Sequence, residues 1–149
     1  MAGAAPSLRV RALRLLAARE HSRRELKRKL AGEVLDFAEI DALLDEFEGK
    51  GWLSEQRLAQ QMIDAARGRY GIRRVLERMR EKGLDEDALD AAAQVLQRQD
   101  TDSARAVWGK RFGRRAITLQ DKAKQARFLA GRGFSSEAIH QVLGDTAEE

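Results

Sequence analysis

Ser22-Arg23-Arg24-Glu25-Leu26-Lys27-Arg28-Lys29-Leu30 and Gly71-Ile72-Arg73-Arg74-Val75-Leu76-Glu77-Arg78-Met79 are two copies of one pattern, 49 residues apart. Leu26 and Leu30 fall on Val75 and Met79, an apolar pair one helical turn apart on a largely basic segment. In the first copy Ser22 and Glu25 stand at capping-box spacing, where each side chain satisfies the other residue's free backbone donor and starts a helix. The end of the second copy repeats as well: Lys82-Gly83-Leu84-Asp85 falls on Arg132-Gly133-Phe134-Ser135 at an offset of 50. A basic helix, a glycine stop and a fresh cap therefore recur. The chain reads as a tandem repeat with a unit of about 45–50 residues.

Helical spacing continues on both sides of these segments. Ile40, Leu43, Leu44 and Phe47 recur at i, i+3, i+4 and i+7, as do Ile72, Val75, Leu76 and Met79. Leu58, Met62, Ile63 and Ala66 form another stripe, followed by Ala104, Val107, Trp108 and Phe112, and then Ala138, Ile139, Val142 and Leu143. Proline occurs only at Pro6, and no run sustains the alternation of a strand. Asp36 and Glu39 repeat the capping-box spacing, and Ser54, Asp85, Asp102, Thr118 and Ser135 are further N-cap candidates. Gly51, Gly83 and Gly133 stand where helices should stop.

These signals predict nine helices, near residues 8–19, 23–31, 37–49, 55–67, 72–82, 86–98, 103–112, 119–131 and 136–143. The expected fold class is all-α: three tandem three-helix, helix-turn-helix-like modules over 9–53, 54–100 and 101–144. A flexible N-terminus (1–8) and a C-terminal tail (145–149) flank them. Units this small bury too little apolar surface to stand alone, so they should stack into an elongated, curved array.

Charge follows the same repeat. The formal net charge is only +4, with 28 Lys and Arg against 24 Asp and Glu in 149 residues. Residues 9–29, 67–82 and 105–132 carry +7, +5 and +8, while 30–66, 83–104 and 133–149 carry −7, −5 and −4. Arginine outnumbers lysine 21 to 7, and its planar fork binds phosphates and carboxylates in a bidentate way. Basic faces of this kind suit nucleic acid or an acidic protein surface, although solvated helices carry them too.

Composition excludes several chemistries. Without cysteine there are no disulfides, iron–sulfur clusters or thiolate zinc sites. The only histidines, His21 and His140, read as surface residues and cannot build a relay or a His-rich metal site. Gly49-Lys50-Gly51 and Gly131-Arg132-Gly133 fit helix ends better than phosphate loops, since neither follows a strand. The carboxylates lie in short local runs, several in first helical turns, where they favour the helix dipole. Apolar runs are too short to span a membrane, and residues 1–7 lack the order of a signal peptide, so the expected location is cytoplasmic. No cofactor and no metal site is expected, and the protein reads as a binder rather than an enzyme.

The candidate binding surface comprises the second helices of the modules and the loops entering them. Arg67-Gly68-Arg69-Tyr70-Gly71-Ile72-Arg73-Arg74 is its most distinctive segment. Its glycines permit close backbone approach, its arginines suit anions, and Tyr70 offers a stacking face, unless the ring is half-buried in a helix connection. Arg73 and Arg74 point away from the apolar stripe, with Arg78 further along. Arg23, Arg24 and Lys27 occupy the first module's basic helix. In the third, Lys110, Arg111, Arg114 and Arg115 surround Trp108 and Phe112, and Lys124, Arg127 and Arg132 follow. Trp108 and Phe112 read as core, and Trp52 as packed at a module junction.

The same segments resemble a known family. Leu15, Arg19, Ser22, Glu25, Leu26, Lys29 and Leu30, then Gly51-Trp52-Leu53 leading into Arg57-Leu58-Ala59, are similar to RecX, the bacterial recombination regulator. Arg69-Tyr70-Gly71, Arg73-Arg74 and Lys82-Gly83-Leu84 continue the likeness, and Phe128-Leu129, Arg132-Gly133-Phe134 and Ile139 to Leu143 complete it. It runs from about residue 9 to 144; one departure is Gly131, where the family often has a second basic residue. The resemblance implies three tandem three-helix modules that bind in the groove of the RecA–single-stranded DNA filament. It also implies inhibition of the filament's ATPase, co-protease and strand-exchange activities. On this reading the protein acts as a monomer, and single-stranded DNA is touched weakly or only through the filament. Two other classes fit the basic helices: a DNA-binding protein that uses them as recognition helices without a recombinase, and an adaptor for an acidic partner.

Overall fold

A computed structural model describes residues 6–32 and 36–147, with the side chains of 145–147 left out. Eight α-helices and no strand occur among the described residues: α1 (Leu8–Ala18), α2 (Arg23–Ala31), α3 (Phe37–Gly49), α4 (Glu55–Ala66), α5 (Ile72–Lys82), α6 (Glu86–Arg111), α7 (Leu119–Gly131) and α8 (Ser136–Ala147). The all-α, tandem three-helix class is the one that the repeat predicts. Three clusters of buried apolar side chains follow one another along the chain. Ala12, Leu26, Leu30, Ile40, Leu44, Phe47 and Leu53 form the first, and residues from Leu58 to Leu96 the second. Ala104, Val107, Leu129, Phe134, Ala138, Val142 and Leu143 form the third.

Local chemistry sets most boundaries as read. Ser22 and Glu25 make both halves of the capping box, and Asp36, Ser54, Asp85 and Thr118 each accept a hydrogen bond from a first-turn amide. Ser135 does so from Ala138. Gly51, Gly83 and Gly133 lie at φ of 75°, 84° and 93°, the left-handed conformation that stops a helix.

Asp102 departs from expectation. It is exposed in the middle of α6, so the two helices expected over 86–98 and 103–112 are one of 26 residues. No glycine or proline interrupts the chain between Glu86 and Trp108. The polar residues that mimic a cap serve other elements instead. Asp100, 3% exposed, accepts from the Ile72 amide at 3.0 Å and the Ser135 amide at 2.9 Å. Ser103 accepts from the Gly68 amide at 3.0 Å. Gly71, at the start of α5, has no side chain with which to cap it, and Asp100 does so from outside.

The joint between the first two modules is built on the same plan. Glu55 accepts from the Arg23 amide and the Asp85 amide, both at 3.3 Å. Arg23 corresponds to Ile72, and Asp85 to Ser135, at the offsets of the sequence repeat. In each joint one carboxyl group therefore holds the start of one module's second helix and the start of the next module's third. The backbones also close on each other: Ser22 Oγ donates to the Lys82 carbonyl, and the Gly71 amide to the Arg132 carbonyl at 2.9 Å. A methyl group on Gly133 would meet Arg74 Cβ at 2.5 Å, and one on Gly83 would meet Arg24 Cδ at 2.5 Å. Only glycine allows this approach.

Removing the Asp100 carboxyl orphans two amides at a buried joint. Asp100→Ala is expected to lower stability by about 3 kcal/mol, read from urea unfolding. Asp102→Ala, two residues on and exposed, should stay within about 0.5 kcal/mol. Equal effects would make Asp102 a cap after all.

Candidate functional site

Residues 67–71 link α4 to α5 and are held from several sides. Gly68 takes a φ of 72°, its amide donates to Ser103 Oγ, and the Gly71 amide reaches across to Arg132. Arg67 lies 3.6 Å from Asp64 and 3.4 Å from Gln99 Oε1. Tyr70 packs half-buried against the second core. Its outer face is covered by guanidinium groups: Arg74 at 4.3 Å, Arg78 at 5.0 Å and Arg132 at 5.3 Å from the ring centre. Arg132 also lies 5.3 Å from the Phe128 ring, beside Arg111 at 5.1 Å, and it donates to the Arg69 carbonyl at 3.3 Å. Phe128 is braced edge-on by Phe112 at 5.5 Å.

Arg132 thus forms a ridge between two clefts. One, of about 480 Å3, is lined by Gly68, Arg69, Val107, Lys110, Arg111, Phe128 and Arg132. The other, of about 290 Å3, is lined by residues of α4 and α5 that include Arg69, Tyr70, Arg74, Arg78 and Lys82. Neither lining contains a carboxylate. Among the described residues, none of Arg69, Arg74, Arg78, Lys110, Arg111 and Arg132 makes an ion pair. Each cation–aromatic contact contributes roughly 0.5–1 kcal/mol at a partly exposed site. Crowded like charges leave a strong positive potential for anions.

The first module differs. Arg23 lies 2.8 Å from Asp45, 3.1 Å from Glu48 and 3.5 Å from Asp41, and Lys27 is 3.0 Å from Asp41. Burial works against the Arg23 charge, but Glu48 and Asp45 outweigh it and raise its pKa; the Lys27 ammonium holds Asp41 below the usual carboxyl range. The Arg23 and Lys27 charges of α2 are therefore paired with α3, and the aliphatic part of Arg24 lies against Gly83. Arg73 donates to the Ala130 carbonyl at 2.9 Å, within the second joint. Arg114 and Arg115 are exposed between α6 and α7. Lys124 and Arg127 are exposed on α7, and Arg127 borders a separate groove against α8. Of the sixteen basic and aromatic candidates, Arg69, Tyr70, Arg74, Arg78, Lys110, Arg111 and Arg132 converge. Lys82 and the Phe128 wall join them. The i, i+4 spacing of Phe128 and Arg132 is the signal that could have placed Phe128 there.

Four other side chains sit differently from expectation. His21 is 1% exposed rather than a surface residue. Its Nδ1 donates to the Arg19 carbonyl at 2.9 Å, which leaves Nε2 to accept from Lys29 Nζ at 3.1 Å. Trp52 rests one face on Phe47, with ring centres 5.5 Å apart, yet is 43% exposed. Phe112 is half-buried, and Trp108 is half-buried with Nε1 donating to Gln125 at 2.9 Å.

Fold and site together define a tandem helical repeat protein with a carboxylate-free, arginine-rich face across its second and third modules. Comparison with known proteins gives the family. The model for the first three-helix domain of RecX matches residues 9–47, and that for the third matches 98–143. The regulatory protein RecX of Ralstonia pickettii is 41% identical over 142 residues, covering 95% of this chain and 89% of its own. That of Chromobacterium violaceum is 40% identical over 149 residues, 100% of this chain and 97% of its own. The crystal structure of RecX from Lactobacillus salivarius shares the fold, with a TM-score of 0.80 at 14% identity, over 93% of this chain and 94% of that one. The chain belongs to the RecX family of regulatory proteins. No helix among the described residues is long and apolar enough to cross a membrane.

Burial, together with the Arg19 and Lys29 charges, lowers the His21 pKa, against the opposing pull of the Arg19 carbonyl and Glu25. The unfolded chain therefore binds this proton more readily, and stability should fall as pH drops below about 6.5. Urea unfolding between about pH 7.5 and 5.5 should show this loss in the wild type and a smaller one in His21→Gln. Parallel curves would assign the loss to other groups.

Proposed function

We propose that the protein lies in the groove of the RecA–single-stranded DNA filament and inhibits its ATPase, co-protease and strand-exchange activities. The observation that carries this is the basic face around Arg132, which has no internal carboxylates to neutralise it. Family membership and the segments that resemble RecX point the same way. Guanidinium forks meet carboxylates and phosphates alike, so filament protein and bound DNA are both within the reach of this chemistry. Several weak contacts along one array add up as effective concentration. On this proposal the limits 9–53, 54–100 and 101–144 mark the modules, with α6 shared by the last two. The protein acts as a cytoplasmic monomer and by occupancy, without chemistry of its own.

The test is RecA ATPase on single-stranded DNA with increasing amounts of the protein. Wild type should inhibit, and Arg69→Glu with Lys110→Glu and Arg111→Glu should need about tenfold more protein for half-inhibition, with the helical circular-dichroism signal retained. Absence of both inhibition and binding to preformed filament would overturn the proposal. Tight, steeply salt-dependent binding to duplex alone would favour a DNA-binding protein that works without a recombinase.

A further inference from the structure

The third module repeats the architecture of the first, but its second and third helices meet differently. The buried pair Leu26 and Leu30 corresponds to Gln125 and Leu129, and the cap Asp36 to Ser135. In this register Arg23, Arg24 and Lys27 become Lys122, Ala123 and Ala126, while Asp41 and Asp45 become His140 and Gly144. In the first module these positions hold the ion-pair network between α2 and α3, and Arg23 and Arg24 abut the second module. In the third module Ala126 and Gly144 replace Lys27 and Asp45 of that network, and Lys122 and His140 replace Arg23 and Asp41. An open groove of about 560 Å3 runs between α7 and α8, floored by Ala123, Ala126, Ala130, Ile139, Leu143 and Gly144. Its rim carries Lys122, Arg127 and His140 and, among the described residues, no carboxylate. Beside its upper end Ile117 and Leu119 are 93% and 86% exposed.

We infer that this groove docks an acidic amphipathic helix of a partner protein. Width and apolar floor suit a row of apolar side chains at helical spacing, the helix-in-groove mode of recognition. The rim charges select carboxylates on the flanks of that helix. Leu119, which lines the groove, and Ile117, two residues before it, are exposed apolar side chains at this surface. The terminal module of a tandem array normally closes its open end with a polar face. Here the described surface between α7 and α8 is apolar with a basic border. The docking surface uses residues apart from the Arg132 ridge and does not rest on the filament proposal.

The test titrates the isotopically labelled full chain with a synthetic helix of about four turns, bearing leucines at i, i+3, i+4 and i+7 and glutamates on both flanks. Shift changes should be confined to the groove lining, and Ala126→Glu should weaken binding about tenfold. Lys122→Glu, on the rim, should weaken it as well and serves if Ala126→Glu disturbs folding by circular dichroism. Arg69→Glu with Lys110→Glu and Arg111→Glu should bind the peptide normally while needing about tenfold more protein for half-inhibition of RecA ATPase. Equal binding of a lysine-flanked peptide, shifts centred elsewhere, or no shifts would overturn the inference. So would self-association abolished by Ala126→Glu, which would make the occupant a second copy.

Discussion

The Asp100 carboxyl group, buried in the middle of the longest helix, accepts two backbone amides from two other helices. One amide opens α5, which has no cap of its own, and the other precedes α8. Unmade hydrogen bonds of buried amides cost more than made ones contribute. The geometry is thus held by penalty against every other arrangement. Because α6 belongs to both the second and third cores, fixing Asp100 against α5 and α8 fixes the two modules against each other. The basic ridge depends on this, since Tyr70 and Arg74 lie on one side of the joint and Phe128 and Arg132 on the other. Without a rigid joint, Arg132 could not lie over both rings.

Glu55 occupies the corresponding place in the first joint, yet its position in the chain does not repeat. It opens α4, whereas Asp100 lies within α6. Burial and the neighbouring Asp85 carboxyl push the Glu55 pKa up. The repeat therefore conserves what is capped rather than where the cap comes from. The recipients, Arg23 and Ile72, and Asp85 and Ser135, are in register, while the donors of the carboxyl group are not.

This explains what was legible in the sequence. Leu26/Leu30 and Val75/Met79 expose the repeat because an apolar pair on a basic helix has one buried solution, and the glycine stops at Gly83 and Gly133 follow from backbone geometry alone. Asp102 misled because cap residues look alike whether they cap their own helix or another. Asp100 and Ser103 point outward to partners about 30 residues away in sequence, which local spacing cannot reveal. His21 misled for a similar reason: a polar residue beside a cap is ordinarily wet, and only the packing of the first module encloses it. The site was legible in kind rather than in extent. Arginine-rich segments were readable as charge, whereas which of them remain unpaired depends on what folds back onto them.

That dependence separates the modules functionally. Residues 9–29 are nearly as basic as 105–132, yet Arg23 and Lys27 face the acidic stripe of Asp41, Asp45 and Glu48 on α3. A surface ion pair contributes little stability, about 0–1 kcal/mol, so its larger consequence here is to remove charge from the surface. The corresponding third helix of the last module presents His140 and Gly144 at the positions of Asp41 and Asp45. Lys122 is left facing an apolar groove. The same helical plan is closed by charge at its first module and left open at its last, so the array has a direction.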